Sequence, residues 1–367
     1  MTSADYLHTA FLLAKRANSK DIRPNPFVGA IIVNHHGIII GEGYHQKAGE
    51  AHAEVLAIND ALQKNSDLSN TTLYVTLEPC SHTGKTPPCT NLILEKRIPK
   101  VVIGSMDPNP LVSGAQVLAD AGVAVEICIV PEIVELNSTF NINQINRRPK
   151  FILKAATTTN GKIADRFGNS KWISNSKSRA FVHQVLRTNA DAVLTTAKTV
   201  IKDNATMNIR IDQAEAKELN LIIIDKQLDI LKEENKELGI FYKRKETKIY
   251  LVTDKIVDHK LPENIEIINV NMHKEQCDLN KLGATLLQKN ICEILLEAGE
   301  KLNTSFIKEK LVDELNLFIC PSVMIDNNGI NIFNSNEQQV IENSIQLSLI
   351  ETQTFDNDIF VKYKVLY

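Results

Sequence analysis

Short apolar runs alternate with helix-like stretches along the whole chain, and this alternation constrains the fold more than any other feature. FVGAIIV (27–33), IIIGEG (38–43), TLYVTL (72–77), KVVIGS (100–105) and VAVEICIV (123–130) are short and rich in β-formers. Between them, 4–18, the segment from Ala51, 90–96, 114–121 and 131–140 read as helices. Strands alternating with helices predict a covered α/β sheet. His35 and His36, between the first two runs, read as an exposed hairpin turn.

At roughly 100 to 200 residues per domain, a chain of 367 residues suggests two domains. Nine of fifteen glycines and nine of twelve prolines precede residue 132, and the later sequence is richer in Lys, Glu, Asn and Ile. The polar stretch Asn141 to Pro149 reads as the linker, giving domains over 1–146 and 147–367. Beyond it FILKAAT, DAVLTT, LNLIIID, KIYLVT, IEIINV and EILLEAG read as strands, with helices over 177–187, 279–288 and 301–310. The tail differs: ELNLFIC, IQLSLIE and DIFVKYKV follow one another with little helix between, which predicts an antiparallel edge closing a second α/β sheet. The Lys- and Glu-dense stretch 226–248 reads as a solvated helical face or loop.

Apolar runs such as Phe27–Val33 fall far below the roughly 20 residues needed to cross a bilayer. The amino terminus has an early acid and no continuous apolar core before Lys15, unlike a secretory signal, so a cytoplasmic protein is expected. The sequons at Asn70, Asn137, Asn204 and Asn303 are then chance matches. The six cysteines stay thiols, and Cys128, Cys292 and Cys320 read as core. A net charge of -3 with 5% aromatic residues argues against nucleic acid and anionic membrane as partners. A small-molecule substrate is expected, and assembly as a homo-oligomer stays open.

Cys80 and Cys89 lie outside apolar runs. Eight residues lie between them, in Glu78-Pro79-Cys80 and Pro87-Pro88-Cys89, and His52-Ala53-Glu54 precedes both. One imidazole and two thiolates make a three-ligand zinc set whose fourth position stays open, the pattern of catalytic zinc. His52 and Cys89 fall at expected helix starts, where free N–H groups favour a thiolate. Glu54 is placed to lean over the open position as general base. Zinc lowers the pKa of its bound water toward about 7; Glu54 removes the water's proton, the hydroxide attacks an amidine-like ring carbon, and Glu54 then protonates the ring nitrogen and, with the second water proton, the departing amine. This is zinc-deaminase chemistry, although the usual signature has two residues between the cysteines.

LEPCSHTGKTPPC (77–89), with PNPFVGAIIV (24–33), GEGYHQKAGEAHAE (41–54) and DPNPLVSGAQVL (107–118), resembles the deaminase half of the RibD family of bifunctional riboflavin-biosynthesis enzymes. The resemblance covers nearly the whole first domain. It implies a cytidine-deaminase-like α/β/α fold over 1–146, zinc on His52, Cys80 and Cys89, and Glu54 as the catalytic residue. The implied substrate is 2,5-diamino-6-(5-phosphoribosylamino)-pyrimidin-4(3H)-one, which loses its 2-amino group as ammonia. Asn25, between two prolines, is a candidate for the base edge, and His45, His82 and Lys85 for the ribose or phosphate.

No G-x-G-x-x-G follows a strand after residue 150. Glu297-Ala298-Gly299 makes a strand-to-helix turn suited to a phosphate, and the single tryptophan, Trp172, sits in a polar segment. FILKAATTTNGKIA, WISNSKSR, VLRTNADAVLTTAKTVIKDN, EAG and LVDEL resemble, in order, the reductase half of the same family. That implies a dihydrofolate-reductase-like α/β domain over 147–367, using NADPH to reduce the ribosyl group to a ribityl chain. Carried over by position, Ala156, Trp172, Thr199, Gly299, Glu300, Lys301, Leu302, Asn303, Thr304 and Ser305 contact NADPH. Ser170, Arg187, Asp203, Met207, Arg210 and Glu297 face the substrate, with Arg187 and Arg210 suited to its 5′-phosphate. The chain departs from the family pattern at Asn160 (usually Asp), Ala205 (Pro), Leu221 (Arg) and Ile325 (Gly). A deaminase whose second domain is only structural or dimerising is the alternative. A nucleic-acid deaminase is opposed by the charge and the few aromatics.

Overall fold

The first helix begins where two side chains close each other's backbone: the Asp5 N–H donates to Thr2 Oγ1 and the Thr2 N–H to the Asp5 carboxylate, a capping box. The computed structural model describes residues 1–64, 66–82, 87–210, 219–258, 260–273, 276–338 and 340–367, so Lys85 lies outside the described residues. The chain divides into two compact units, Met1–Arg147 and Arg148–Tyr367.

The first unit runs α1 (Ser3–Ala14), α2 (Ser19–Ile22), β1 (Gly29–Asn34), β2 (Ile39–Tyr44), α3 (Ala53–Gln63), β3 (Thr71–Val75), α4 (Cys89–Glu95), β4 (Lys100–Ile103), α5 (Gly114–Asp120), β5 (Ala124–Ile127), α6 (Pro131–Leu136) and α7 (Ser138–Asn146). Its sheet has the order β2-β1-β3-β4-β5, antiparallel around β1 and parallel from β3 onward. Alternation along β1 serves two cores. Ala30 and Ile32 join Ala57, Ile58 and Ala61 of α3, while Ile31 and Val33 join Leu7, Ala10 and Leu13 of α1. Gly41 and Gly43 bring α3 onto β2: a Cβ on Gly43 would stand 2.4 Å from the Ala53 oxygen and 2.5 Å from the Ala57 nitrogen.

The expected linker is mostly helix. Asn143 is buried, and the chain leaves α7 only at Arg147, with a left-handed φ of 54°. The polar composition there marks the boundary between units, which falls at Arg147, but not the local conformation. Cys128 is half-buried rather than a core residue, whereas Cys292 and Cys320 are buried.

The second unit runs β6 (Lys150–Thr158), β7 (Lys162–Ala164), α8 (Ser176–Phe181), a π-turn (Val182–Leu186), α9 (Arg187–Asn189), β8 (Ala192–Thr196), α10 (Ala197–Asp203), β9 (Asn220–Ile224), α11 (Gly239–Lys243), β10 (Ile249–Thr253), β11 (Ile265–Asn269), β12 (Met272–His273), β13 (Gln276–Cys277), α12 (Leu279–Gln288), β14 (Glu293–Leu296), α13 (Glu300–Lys308), β15 (Glu314–Cys320), β16 (Ile330–Asn331), β17 (Gln346–Phe355) and β18 (Asp358–Leu366). Nine strands form one sheet in the order β11-β10-β9-β8-β14-β6-β15-β18-β17. The first seven are parallel, and β18 and β17 add the expected antiparallel edge.

Parallel strands covered on both faces read as continuous apolar runs. Ile222 joins Phe151, Leu153 and Leu194 in one core, while Leu221 and Ile223 join Val193 and Leu251 in the other. Leu221 is fully buried there, in surroundings that offer the aliphatic packing a guanidinium would forgo. The charged stretch 226–248 is only partly solvated: Ile230, Leu238 and Ile240 are buried, and the fully buried Arg244 donates to the carbonyls of Thr206 and Leu219.

Gly43→Ala is expected to push α3 off β2 and lower the stability of the first unit by at least about 1–3 kcal/mol, the range for overpacking. Because α3 starts next to His52, the variant should also bind less zinc. Thermal melts and metal analysis of the purified chain check both effects.

Candidate functional site

In the first unit, His52 is the N-cap residue of α3, Cys80 follows β3, and Cys89 opens α4. His52 Nδ1 lies 3.2 Å from Cys89 Sγ and 3.6 Å from Cys80 Sγ, and the three ligand atoms all fall within 4.8 Å of one another. A tetrahedral zinc with bonds of about 2.0–2.3 Å separates its donors by about 3.5 Å, so this soft donor set fits zinc. Among the described residues the cluster has only these three members. The Cys89 thiol and N–H, with His52, bond the Cys80 sulfur and hold its pKa down to about 4. The Cys89 thiol, bonded to that thiolate and buried, is pushed up. Metal uptake as a dithiolate requires both sulfurs to be deprotonated.

Glu54 stands in the first turn of α3 and is 4% exposed. Burial raises its carboxyl above the ordinary range, against the lowering effect of its own backbone N–H and of His52. His45 is buried as well. Its Nδ1 contacts the Ala51 carbonyl at 3.2 Å, so Nδ1 carries the hydrogen and Nε2 accepts from Asn25 Nδ2 at 3.0 Å. His45 thus orients the Asn25 amide instead of facing a ribose or phosphate, and Asn25 Oδ1 is the atom left for a ligand. His82 is exposed.

Sequence reasoning missed Glu78. Its two carboxylate oxygens accept the N–H groups of Ala115 at 3.0 Å and Asp107 at 3.3 Å, fastening the 107–115 loop to the metal loop. Gly114 permits that approach, since a Cβ there would stand 1.9 Å from the Pro79 oxygen. The signal was an acid directly before Pro79-Cys80.

The second unit encloses a cavity of about 1030 Å³. Its wall gathers Ala156, Ser170, Trp172, Arg187, Thr199, Asp203, Met207, Arg210, Glu297, Gly299, Glu300, Lys301 and Leu302. Asn303, Thr304 and Ser305 are not on that wall, because only the first turn of α13 faces it. Asn303 is fully buried and donates to the Ile332 carbonyl, Thr304 donates to Glu300, and Ser305 to Lys301. Among the described residues nine lysines and arginines line the cavity against three acids, a balance that fits a polyanionic cofactor such as NADPH. Trp172 projects beside it, 77% exposed with a φ of 70°, and the Arg179 guanidinium lies 4.6 Å from its ring.

Arg187, on that wall, is also paired with a carboxylate. Its guanidinium bonds both Glu297 oxygens, at 2.7 and 3.0 Å, and the Asn208 carbonyl at 2.7 Å. Lys154 Nζ lies 4.0 Å from the same carboxylate. Burial opposes the Glu297 charge, but Arg187 and Lys154 outweigh it and hold the pKa at about 2. Lys154 was also missed, and burial lowers its pKa against the pull of Glu297. A lysine inside the apolar run FILKAAT was the available signal.

Two of the departures have local explanations. Asn160 accepts from Thr158 Oγ1 and the Met324 N–H while its Nδ2 donates to the Met324 carbonyl, a donation that an aspartate could not make. The Ala205 N–H donates to the Val200 carbonyl at the end of α10, a bond that proline would remove. Ile325 is 98% exposed, and nothing in the structure explains it.

Glu297→Gln leaves the buried Arg187 and the partly buried Lys154 without their counter-ion. With a folded pKa of about 2 against an ordinary 4.5, the carboxylate stabilises the fold fully above pH 4.5, and the contribution is lost as pH falls toward 2. The difference corresponds to about 3 kcal/mol. Urea unfolding should show the variant less stable at pH 7, with a flatter loss of stability between pH 4.5 and 2.

A family model described as the cytidine and deoxycytidylate deaminase zinc-binding region matches residues 1–105, and one described as the RibD C-terminal domain matches residues 149–361. The riboflavin biosynthesis protein RibD of Aquifex aeolicus is 35% identical over 369 residues, covering 98% of each chain. That of Actinobacillus pleuropneumoniae is 36% identical over 371 residues, covering 100% of this chain and 96% of its own. Among solved structures, Acinetobacter baumannii RibD matches with a TM-score of 0.82 at 30% identity, covering 100% of this chain and 99% of its own. A diaminohydroxyphosphoribosylaminopyrimidine deaminase/5-amino-6-(5-phosphoribosylamino)uracil reductase from Thermotoga maritima matches with a TM-score of 0.83 at 31% identity, covering 99% of each. The amino-terminal fold is cytidine-deaminase-like and the carboxy-terminal fold dihydrofolate-reductase-like. Among the described residues no helix is long and apolar enough to cross a membrane. The chain belongs to the RibD family: it is a bifunctional deaminase and reductase of riboflavin biosynthesis, whose cofactors are zinc and NADPH.

Proposed function

We propose that residues 1–146 deaminate 2,5-diamino-6-(5-phosphoribosylamino)-pyrimidin-4(3H)-one to 5-amino-6-(5-phosphoribosylamino)uracil, and that residues 147–367 reduce the ribosyl group of that product to a ribityl chain. The observation that carries the reading is the His52, Cys80 and Cys89 cluster with the buried Glu54 carboxyl in the helix turn beside it. Bound zinc supplies a water acidified toward a pKa of about 7. Glu54 takes one proton of the attacking water to the ring nitrogen, then carries the second, from the hydroxyl left on the ring carbon, to the amine as it departs as ammonia. A carboxyl raised by burial suits a group that must both accept and release a proton. Asn25, aimed by His45, accepts from the N–H edge of the pyrimidine.

In the second domain NADPH supplies the hydride for C1′. Arg210 meets the 5′-phosphate, and Ser170, Asp203 and Met207 share that wall. Glu297, held ionised by Arg187 and Lys154, fixes those two cations and accepts hydrogen bonds from ribose hydroxyls. Lys154, whose ammonium is made more acidic by burial, is the proton source for the ribose oxygen as the ring opens. The reading is of a cytoplasmic enzyme of small phosphorylated pyrimidines rather than of nucleic acid, whether it works as one chain or as a homo-oligomer.

The test is to supply the diamino-pyrimidine substrate and, separately, its deaminated product with NADPH. Ammonia from the first and NADPH oxidation with the second are expected. Ammonia release without NADPH oxidation would select a deaminase with an inactive second domain, and no ammonia would sink the reading. Glu54→Gln should cut ammonia release by about 10²–10⁴, the usual worth of a general acid–base group, and leave reduction of the deaminated product unchanged. Chelation should likewise remove deamination and spare reduction, with zinc restoring the loss.

A further inference from the structure

The π-turn Val182–Leu186 carries His183, which lies on the cavity wall and is only 7% exposed. Its Nδ1 receives the backbone N–H of Arg210 at 3.2 Å, and its Nε2 lies 3.2 Å from Arg210 Nη2. Burial, then Arg187 and Arg210, hold the imidazole near a pKa of about 4, so it is neutral. A neutral imidazole offers one lone pair and one N–H. The backbone N–H of Arg210 cannot turn away, so the nitrogen it meets, Nδ1, holds the lone pair and Nε2 carries the hydrogen. Nε2–H and the Arg210 guanidinium are then two donors side by side, an arrangement that calls for a shared acceptor.

We infer that His183 Nε2–H and the Arg210 guanidinium together seat a phosphomonoester, the 5′-phosphate of the reductase substrate. A phosphate oxygen has lone pairs for both donors, and this pairing supplies the second phosphate contact once Arg187 is committed to Glu297. The inference rests on the reading that the second domain takes a phosphorylated substrate. His183 is a binding residue in it and moves no proton.

Calorimetry with the full chain tests it, using ribose 5-phosphate and adenosine 2′-monophosphate as probes for the substrate and cofactor phosphates. His183→Leu should weaken ribose 5-phosphate by about tenfold, the loss of one charge-assisted hydrogen bond, and leave adenosine 2′-monophosphate unchanged. His183→Gln, which keeps an N–H donor, should recover most of that loss. Unchanged ribose 5-phosphate binding, or weakening confined to adenosine 2′-monophosphate, overturns the inference. Nitrogen NMR of the wild-type imidazole gives a test that needs no variant: the Nε2–H tautomer is required, and the Nδ1–H tautomer overturns it. In the reductase assay His183→Leu should raise KM for the phosphorylated substrate about tenfold, with kcat and the KM for NADPH little changed. Wild-type protein that binds ribose 5-phosphate but oxidises no NADPH would overturn the reductase reading, while the binding comparison would still decide the role of His183.

Discussion

A carboxyl taken out of water must find a cation or a proton, and the two units meet that demand in opposite ways. Glu297 is given two cations, Arg187 and Lys154, and stays ionised to about pH 2. Among the described residues Glu54 has no such pair, and burial lifts its carboxyl instead. One residue becomes a fixed charge that holds its surroundings, the other a group able to exchange protons.

The fixed charge organises the second unit. Glu297 follows β14 at the centre of the nine-stranded sheet, Lys154 comes from the neighbouring β6, and Arg187 opens α9 directly after the π-turn. Arg187 also bonds the Asn208 carbonyl, so the segment leading to Arg210 is drawn to the same point. Four stretches remote in sequence thereby meet at a single carboxylate. In the first unit the comparable anchor is Glu78, which ties the 107–115 loop to the metal loop through two backbone N–H groups.

The positions of the strands were largely readable because a parallel sheet demands unbroken apolar runs, as Leu221 to Ile224 and Ile249 to Val252 show, whereas their order in the sheet was not. The clustering of His52, Cys80 and Cys89 was readable because few residue types bind zinc and the motifs around them are compact. What escaped depends on partners distant in sequence. Asn160 looks like a lost acid until its bonds to Met324 are seen, and the pairing of Arg187 with Glu297, 110 residues on, has no mark in the local sequence. His183 gave no signal, since its partner lies 27 residues on. Helix α7 was read as linker because polar side chains say little about conformation when one of them, Asn143, is buried.

The π-turn at Val182–Leu186 holds one residue more than an α-helical turn would need. The helical segments on either side of it are therefore out of phase, and the faces they present are set independently. Removing one residue from the turn would rotate His183 by about 100° around the helix relative to Arg187, one α-helical step, without breaking the helix or disturbing the Glu297 pair. Chain length at this point, more than side-chain identity, is the variable through which the anion-facing wall can be re-aimed.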